Sequence, residues 1–123
     1  MSLLAILLGD GTFSLEVVGV ESCQPELEEL TFNPLLEEKV WTMLALLVPE
    51  DTNPYDPAAV RVQIVGRTVG YLSRADARAL RAGLGSDVQG RTRFRCRAKI
   101  HRVSFPVRGG QWNVWLDVCL PQE

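Results

Sequence analysis

Histidine occurs once in this chain, as His101, and cysteine three times, as Cys23, Cys96 and Cys119, with no CxxC among them. That set does not make a structural zinc site, and it predicts reduced thiols that pack as small hydrophobes. Cys96 and His101 lie five positions apart in a strand-like stretch, so their side chains face opposite ways and do not pair as nucleophile and base. GxSxG, HExxH and P-loop patterns are missing too, which leads us to expect a non-catalytic chain without metal or cofactor. Long apolar runs are also lacking. Leu3 to Leu8 spans only six residues before Gly9-Asp10-Gly11 ends it, whereas a membrane helix needs about 20. No basic side chain precedes that run, which argues against a secretory signal and leaves a cytoplasmic location as the expectation.

Basic residues are nearly missing from the first half. Residues 1–60 hold Lys39 alone against eleven acids, a sum of 1 − 11 = −10, whereas residues 61–123 hold twelve bases against four acids, a sum of 12 − 4 = +8. Either the halves neutralise each other on folding, or the second half presents a polyanion-binding face. The chain is 123 residues long and 46% apolar, enough for one domain, 1–123, with a core that needs no staples.

Phe13 to Gly19 reads as a strand with a bend at its end. Glu21 to Glu38 is acidic and broken by Pro25 and Pro34, which predicts a loop-rich connection with a helical turn through Leu27, Leu30 and Leu36. Val40 to Val48 is a nearly continuous apolar run closed by Pro49 and predicts a buried strand, followed by a rigid irregular loop from Pro49 to Pro57. Val60-Arg-Val-Gln-Ile and Thr68-Val-Gly-Tyr-Leu72 predict a hairpin around Gly66-Arg67. Ser73 then offers an N-cap, Asp76 suits the helix dipole, and Ala75 to Ala82 predicts a short helix ended by Gly83 or Gly85. Arg91 to Phe105 and Trp112 to Leu120 predict two more strands, joined through Pro106 to Gln111. The expected fold is mainly β (α+β): a small, strongly bent OB-like or SH3-like antiparallel barrel of five or six strands with one or two short helices.

The most informative pattern is Arg91-Thr-Arg93-Phe-Arg95-Cys-Arg97-Ala-Lys99-Ile-His101, basic or His at every odd position. A period of two places these side chains on one strand face, about 6.6 Å apart, comparable to the phosphate spacing of an extended single strand. Arginine forks onto phosphate oxygens and stacks on bases. The same pattern also fits a solvent-facing strand whose arginines meet acids from the first half. Among the aromatics Tyr55, Tyr71, Trp112 and Trp115, most belong to the core. On the last strand Val114, Leu116 and Val118 share one face and leave Trp115 with Asp117 on the other. Tyr55 lies in Asn53-Pro-Tyr-Asp-Pro57, which also reads as a bare turn with Tyr55 as a loop staple and Asp56 as a turn cap.

Taken together, Val17-Val-Gly19, then Pro49-Glu-Asp-Thr-Asn53-Pro-Tyr-Asp-Pro-Ala-Ala-Val60, then Val69-Gly-Tyr-Leu72 before a helix, resemble the HIRAN domain over about residues 13–85. Residues 86–120 would supply the barrel-completing strands. The resemblance implies an OB-like barrel that binds DNA, and in the end-binding members captures the 3′-hydroxyl end of single-stranded DNA. By that resemblance Tyr55 stacks on the terminal base and Asp56 accepts the terminal hydroxyl. Tyr71 and Asn53 complete the pocket, and Arg74 meets a phosphate. End-binding members carry a basic residue and an aromatic just after the Val-Val-Gly; this chain has Glu21 and Ser22 there.

The expected function is a non-catalytic module for single-stranded DNA or DNA ends in a repair, replication-fork or mobile-element setting. Its end pocket would be Asn53, Tyr55, Asp56, Tyr71 and Arg74, and its phosphate face Arg91, Arg93, Arg95, Arg97 and Lys99. A helicase or nuclease partner and self-association are compatible with it, and no membrane is involved. The competing expectation is a protein-interaction domain without DNA affinity.

Overall fold

The computed structural model describes residues 3–31, 40–83, 92–103 and 111–120. Within them the backbone runs β1 (Leu3–Ile6), β2 (Leu15–Glu16), a 3-10 turn (Val20–Ser22), α1 (Gln24–Thr31), β3 (Val40–Pro49), β4 (Val60–Ile64), β5 (Arg67–Tyr71), α2 (Arg74–Gly83), β6 (Thr92–Val103) and β7 (Gln111–Asp117). One sheet takes the order β2-β7-β6-β3-β4-β5, with β1 pairing β6 off that path. An antiparallel bridge between Val18 and Tyr71 ties the chain just beyond β2 to β5, so the two ends of the sheet meet. The result is a small, mainly β barrel with two short helices, as the alternation patterns predict.

Two hydrogen bonds make that closure: Val18 N–H donates to the Tyr71 carbonyl at 2.8 Å, and Tyr71 N–H to the Val18 carbonyl at 2.9 Å. The approach requires glycine at position 70. Its φ is +152°, and a Cβ there would stand 2.5 Å from the Val18 carbonyl oxygen. The barrel interior is filled by alternate strand residues, among them Leu47, Val62, Ile64, Val69, Phe94, Ile100, Val114 and Leu116, all fully buried. The helix α2 adds Ala77 and Leu80 to this core and α1 adds Leu27. Gln24 fastens α1 to β7, accepting from Trp112 N–H at 2.9 Å and donating to the Trp112 carbonyl at 2.8 Å.

Local signals explain most boundaries. The Ser73 hydroxyl accepts from Asp76 N–H at 3.1 Å, the expected N-cap of α2. The β4–β5 hairpin turns through Val65 (φ 50°) and Gly66 (φ 75°), the two positive dihedrals of a type I′ turn. Three elements differ from the sequence expectation. The run at Leu3 to Leu8 contributes β1, a parallel partner of β6, so not every pairing is antiparallel and the strands number seven. Pro25 starts α1 instead of breaking it, because proline is tolerated in a first helical turn. The strand expected over Phe13 to Gly19 is only Leu15–Glu16 plus the Val18 bridge, since Phe13 (φ 49°) turns the chain out of extended geometry. Gly85, Leu36, Pro34 and the connection at 106–110 lie outside the described residues.

Candidate nucleic-acid interface

The loop after β3 is held by its own polar groups. Asn53 Oδ1 accepts from Tyr55 N–H at 2.8 Å and from Asp56 N–H at 3.1 Å, and Asp56 Oδ1 accepts from Ala58 N–H at 3.0 Å. These are Asx turns, so Asp56 is a turn cap as its sequence setting allows. Tyr55 is no staple: its side chain is 92% exposed. Arg81 of α2 clamps the loop from behind, donating to the carbonyls of Ala58 (2.9 Å) and Ala59 (3.0 Å) and pairing with Asp51 at 2.7 Å.

Below Tyr55 opens a cleft of about 730 Å³ lined by Val48 to Tyr55 with Arg61 and Tyr71. Strand register builds its floor, because Val48 pairs with Arg61 and Arg61 with Tyr71, so all three point outward in one row. Glu50 is the hub: it takes the Asn53 amide at 3.2 Å, Arg61 at 3.3 Å and a hydrogen bond from the Tyr71 hydroxyl. Burial first, then that hydrogen bond and the Glu50 charge, hold the Tyr71 hydroxyl above its ordinary pKa. Of the five expected pocket residues, Asn53, Tyr55 and Tyr71 line the cleft. Asp56 and Arg74 form an ion pair at 3.8 Å on the adjoining loop and helix start. Glu50 and Arg61 were not singled out by the sequence; Arg61 had a signal, its outward place in Val60-Arg-Val-Gln-Ile, but nothing in one chain shows that it meets Glu50.

The strand β6 alternates as expected. Phe94, Cys96, Ala98 and Ile100 are buried, while Arg93, Arg95, Arg97, Lys99 and His101 lie on the outer face; Arg91 is outside the described residues. Acids of the first half do meet arginines of the second, through Glu29–Arg67, Glu50–Arg61, Asp51–Arg81 and Asp56–Arg74. None of these pairs uses β6. Among the described residues Arg93, Arg95 and Lys99 have no ion-pair partner, and Arg97 has only Asp117 at 3.8 Å. The neutralisation and the cationic face therefore coexist on different strands. Trp115 lies on the outer face opposite Lys99, as the alternation of β7 predicts, and Trp112 is buried.

Cleft and cations share one surface. Arg95 pairs with Leu46 and Leu46 with Gln63, while Val48 in the cleft floor stands one position beyond the last β3–β6 pair, Leu47–Phe94. A ligand leaving the cleft over Val48 thus reaches Arg93 next. Among the described residues no three side chains converge as a metal site, and no helix is long and apolar enough to cross a membrane. Fold and site together define a small β-barrel with an exposed-aromatic cleft and a cationic outer sheet. No family model matches the chain, and no curated protein or solved structure matches it significantly.

Proposed function

We propose that the chain is a non-catalytic, HIRAN-like DNA-binding module that holds single-stranded DNA, its 3′-terminal nucleotide in the Tyr55 cleft and the preceding phosphates along β6. The observation that carries this reading is the tyrosine itself: Asx turns fix the backbone that carries a 92% exposed ring at the margin of an open cleft, an exposure that burial does not explain. A base stacks on such a ring whatever its identity. The carboxylates of Glu50 and Asp51 in the cleft lining suit a terminal hydroxyl, which donates to them, and disfavour a terminal phosphate, with Asp56 adding to this from the adjoining loop. Glu21 and Ser22 are exposed on the turn that follows the Val18–Tyr71 bridge. Glu21 adds an acid where end-binding members carry a base, which leaves phosphate contact to Arg74 and β6.

The test is fluorescence anisotropy of a labelled single strand at two salt concentrations. Four phosphate contacts, by Arg93, Arg95, Arg97 and Lys99, correspond to a log–log salt slope of about −2.8, or roughly 50-fold weaker binding on going from about 50 to 200 mM salt. Replacing Arg93, Arg95 and Arg97 together with Ser lowers the slope by up to about 2. An unchanged slope would make β6 a structural face. One observation favours the competing protein-interaction reading: β1 exposes Leu4 and Ile6, with Leu8 just beyond at 81%, an uncharged edge of the kind that pairs with other chains. Salt-insensitive association without DNA affinity would favour it.

A further inference from the structure

At the far end of β6 from the cleft, three aromatic rings gather around two cations. The Arg97 guanidinium lies 5.2 Å from the Phe13 ring centroid, and Lys99 Nζ lies 5.9 Å from the centroids of both Phe13 and Trp115. His101 and Trp115 rings stand 5.9 Å apart, tilted by 46°. The group is on the outer face, and the core beneath it is made by the opposite face of the same strands, Ala98, Ile100, Val114 and Leu116. Phe13 is placed there by a strained backbone, φ 49° in a non-glycine residue. That conformation is held by Gly11 N–H on Asp117 at 2.8 Å, with Asp10 accepting from Thr12 N–H and its hydroxyl. Backbone strain of this kind persists where surrounding structure imposes it, often at binding sites. The acids nearby are Asp117, which already takes Gly11 and Arg97, and Glu16, paired in register with Trp115 at the edge of the patch.

We propose that Phe13, Lys99, His101 and Trp115 form a second nucleobase-stacking subsite for the same single strand, about five nucleotides from the end cleft; this inference rests on the DNA-binding reading above. Over the face that carries the cations, the longer way round from the closure through Val18 and Glu16, the separation follows from register. Tyr71 on β5 and Trp115 on β7 are four strand spacings apart across β4, β3 and β6, about 19 Å laterally. The level of Trp115, set by its partner Lys99, is six residues along β6 from Arg93, about 20 Å. The diagonal is about 28 Å, which at about 6 Å per extended nucleotide spans five steps. That diagonal crosses β6 near Arg97, with Arg93 and Arg95 flanking it on the cleft side, so the strand meets a cation just before its second stacking point.

The test measures the affinity of oligothymidylates from two to ten nucleotides, each with a free 3′-hydroxyl. Affinity is expected to step up roughly tenfold between about four and seven nucleotides, the gain of one stacked base. Trp115→Ala removes that step and leaves the 3′-hydroxyl preference of the shortest strands intact; Tyr55→Ala does the reverse. As a check independent of Trp115→Ala folding, only strands long enough to reach the subsite quench the intrinsic tryptophan fluorescence of the wild type, and Trp115→Phe loses that quench while keeping the length step. Short strands that bind with no length step, or a step that survives Trp115→Ala, overturn the subsite and leave the cleft standing. Failure of every length to bind overturns the DNA-binding reading, and the subsite with it.

Discussion

Replacing Gly70 with alanine tests whether the Val18–Tyr71 bridge closes the barrel. The new Cβ would lie 2.5 Å from the Val18 carbonyl oxygen and 2.6 Å from Val17 Cγ1, with backbone and a buried valine both in its way. Relief requires the strands to part, which sacrifices two backbone hydrogen bonds at about 1 kcal/mol each. Residual overpacking and the unfavourable φ add about 1–3 kcal/mol. The expected cost is about 3–5 kcal/mol, a large share of the roughly 6–18 kcal/mol typical of a chain this size. Thermal unfolding should fall by about 10–20 °C. Gly66→Ala is the control: its φ is +75° but nothing lies within 4 Å, so only dihedral strain of about 1 kcal/mol and a few degrees are expected. Equal shifts for the two variants, or a Gly70→Ala shift under about 4 °C, would refute the closure argument.

Val65→Asn should raise stability by about 1 kcal/mol in urea unfolding, because a β-branched residue at positive φ gives way to the residue a type I′ turn favours before glycine; a loss would mean that the exposed valine packs on something. Thiol labelling at pH 8 should modify exposed Cys119 first and Cys23 more slowly. Burial and then the charges of Glu26 and Glu21 push the Cys23 thiol up. Cys96, pushed up to about 12 by burial and then by Asp117, should react only on unfolding; its modification in the folded protein would contradict its inward placement. The Tyr71 hydroxyl titrates higher in the folded state than in the unfolded one, so its contribution to stability is full below about pH 10 and is lost as pH rises through the folded value. Wild type should therefore lose more stability than Tyr71→Phe under alkaline conditions, and parallel pH profiles would remove the Glu50 hydrogen bond from the account.

Period-two alternation made β4, β5, β6 and much of β7 legible, because a barrel strand has one wet face and one dry face. It also placed Arg93 to His101 outward and Cys96 inward. The strand β1 carried no such signal: Leu3 to Leu8 is apolar throughout, and only its pairing with β6 decides which of its residues are covered. Acidic residues hid α1, whose buried face is little more than Leu27 and Thr31. In the cleft, the local turn chemistry of Asn53 and Asp56 could be read from the residues themselves. The meeting of Glu50, Arg61 and Tyr71 could not, since it depends on the β3–β4–β5 register. The Phe13 platform was equally silent, because nothing in its neighbours announces a positive φ at a phenylalanine.

The central claim is that the Tyr55 cleft accepts a nucleic-acid end carrying a hydroxyl and refuses one carrying a phosphate. The direct measurement compares the affinity of one short single strand ending in a 3′-hydroxyl with that of the same strand ending in a 3′-phosphate, for wild type and Tyr55→Ala. A hydroxyl donating to a carboxylate supports a preference of roughly ten- to a hundredfold, which Tyr55→Ala should erase without loss of fold. Equal affinity for both ends, or tighter binding of the phosphate, would contradict the account.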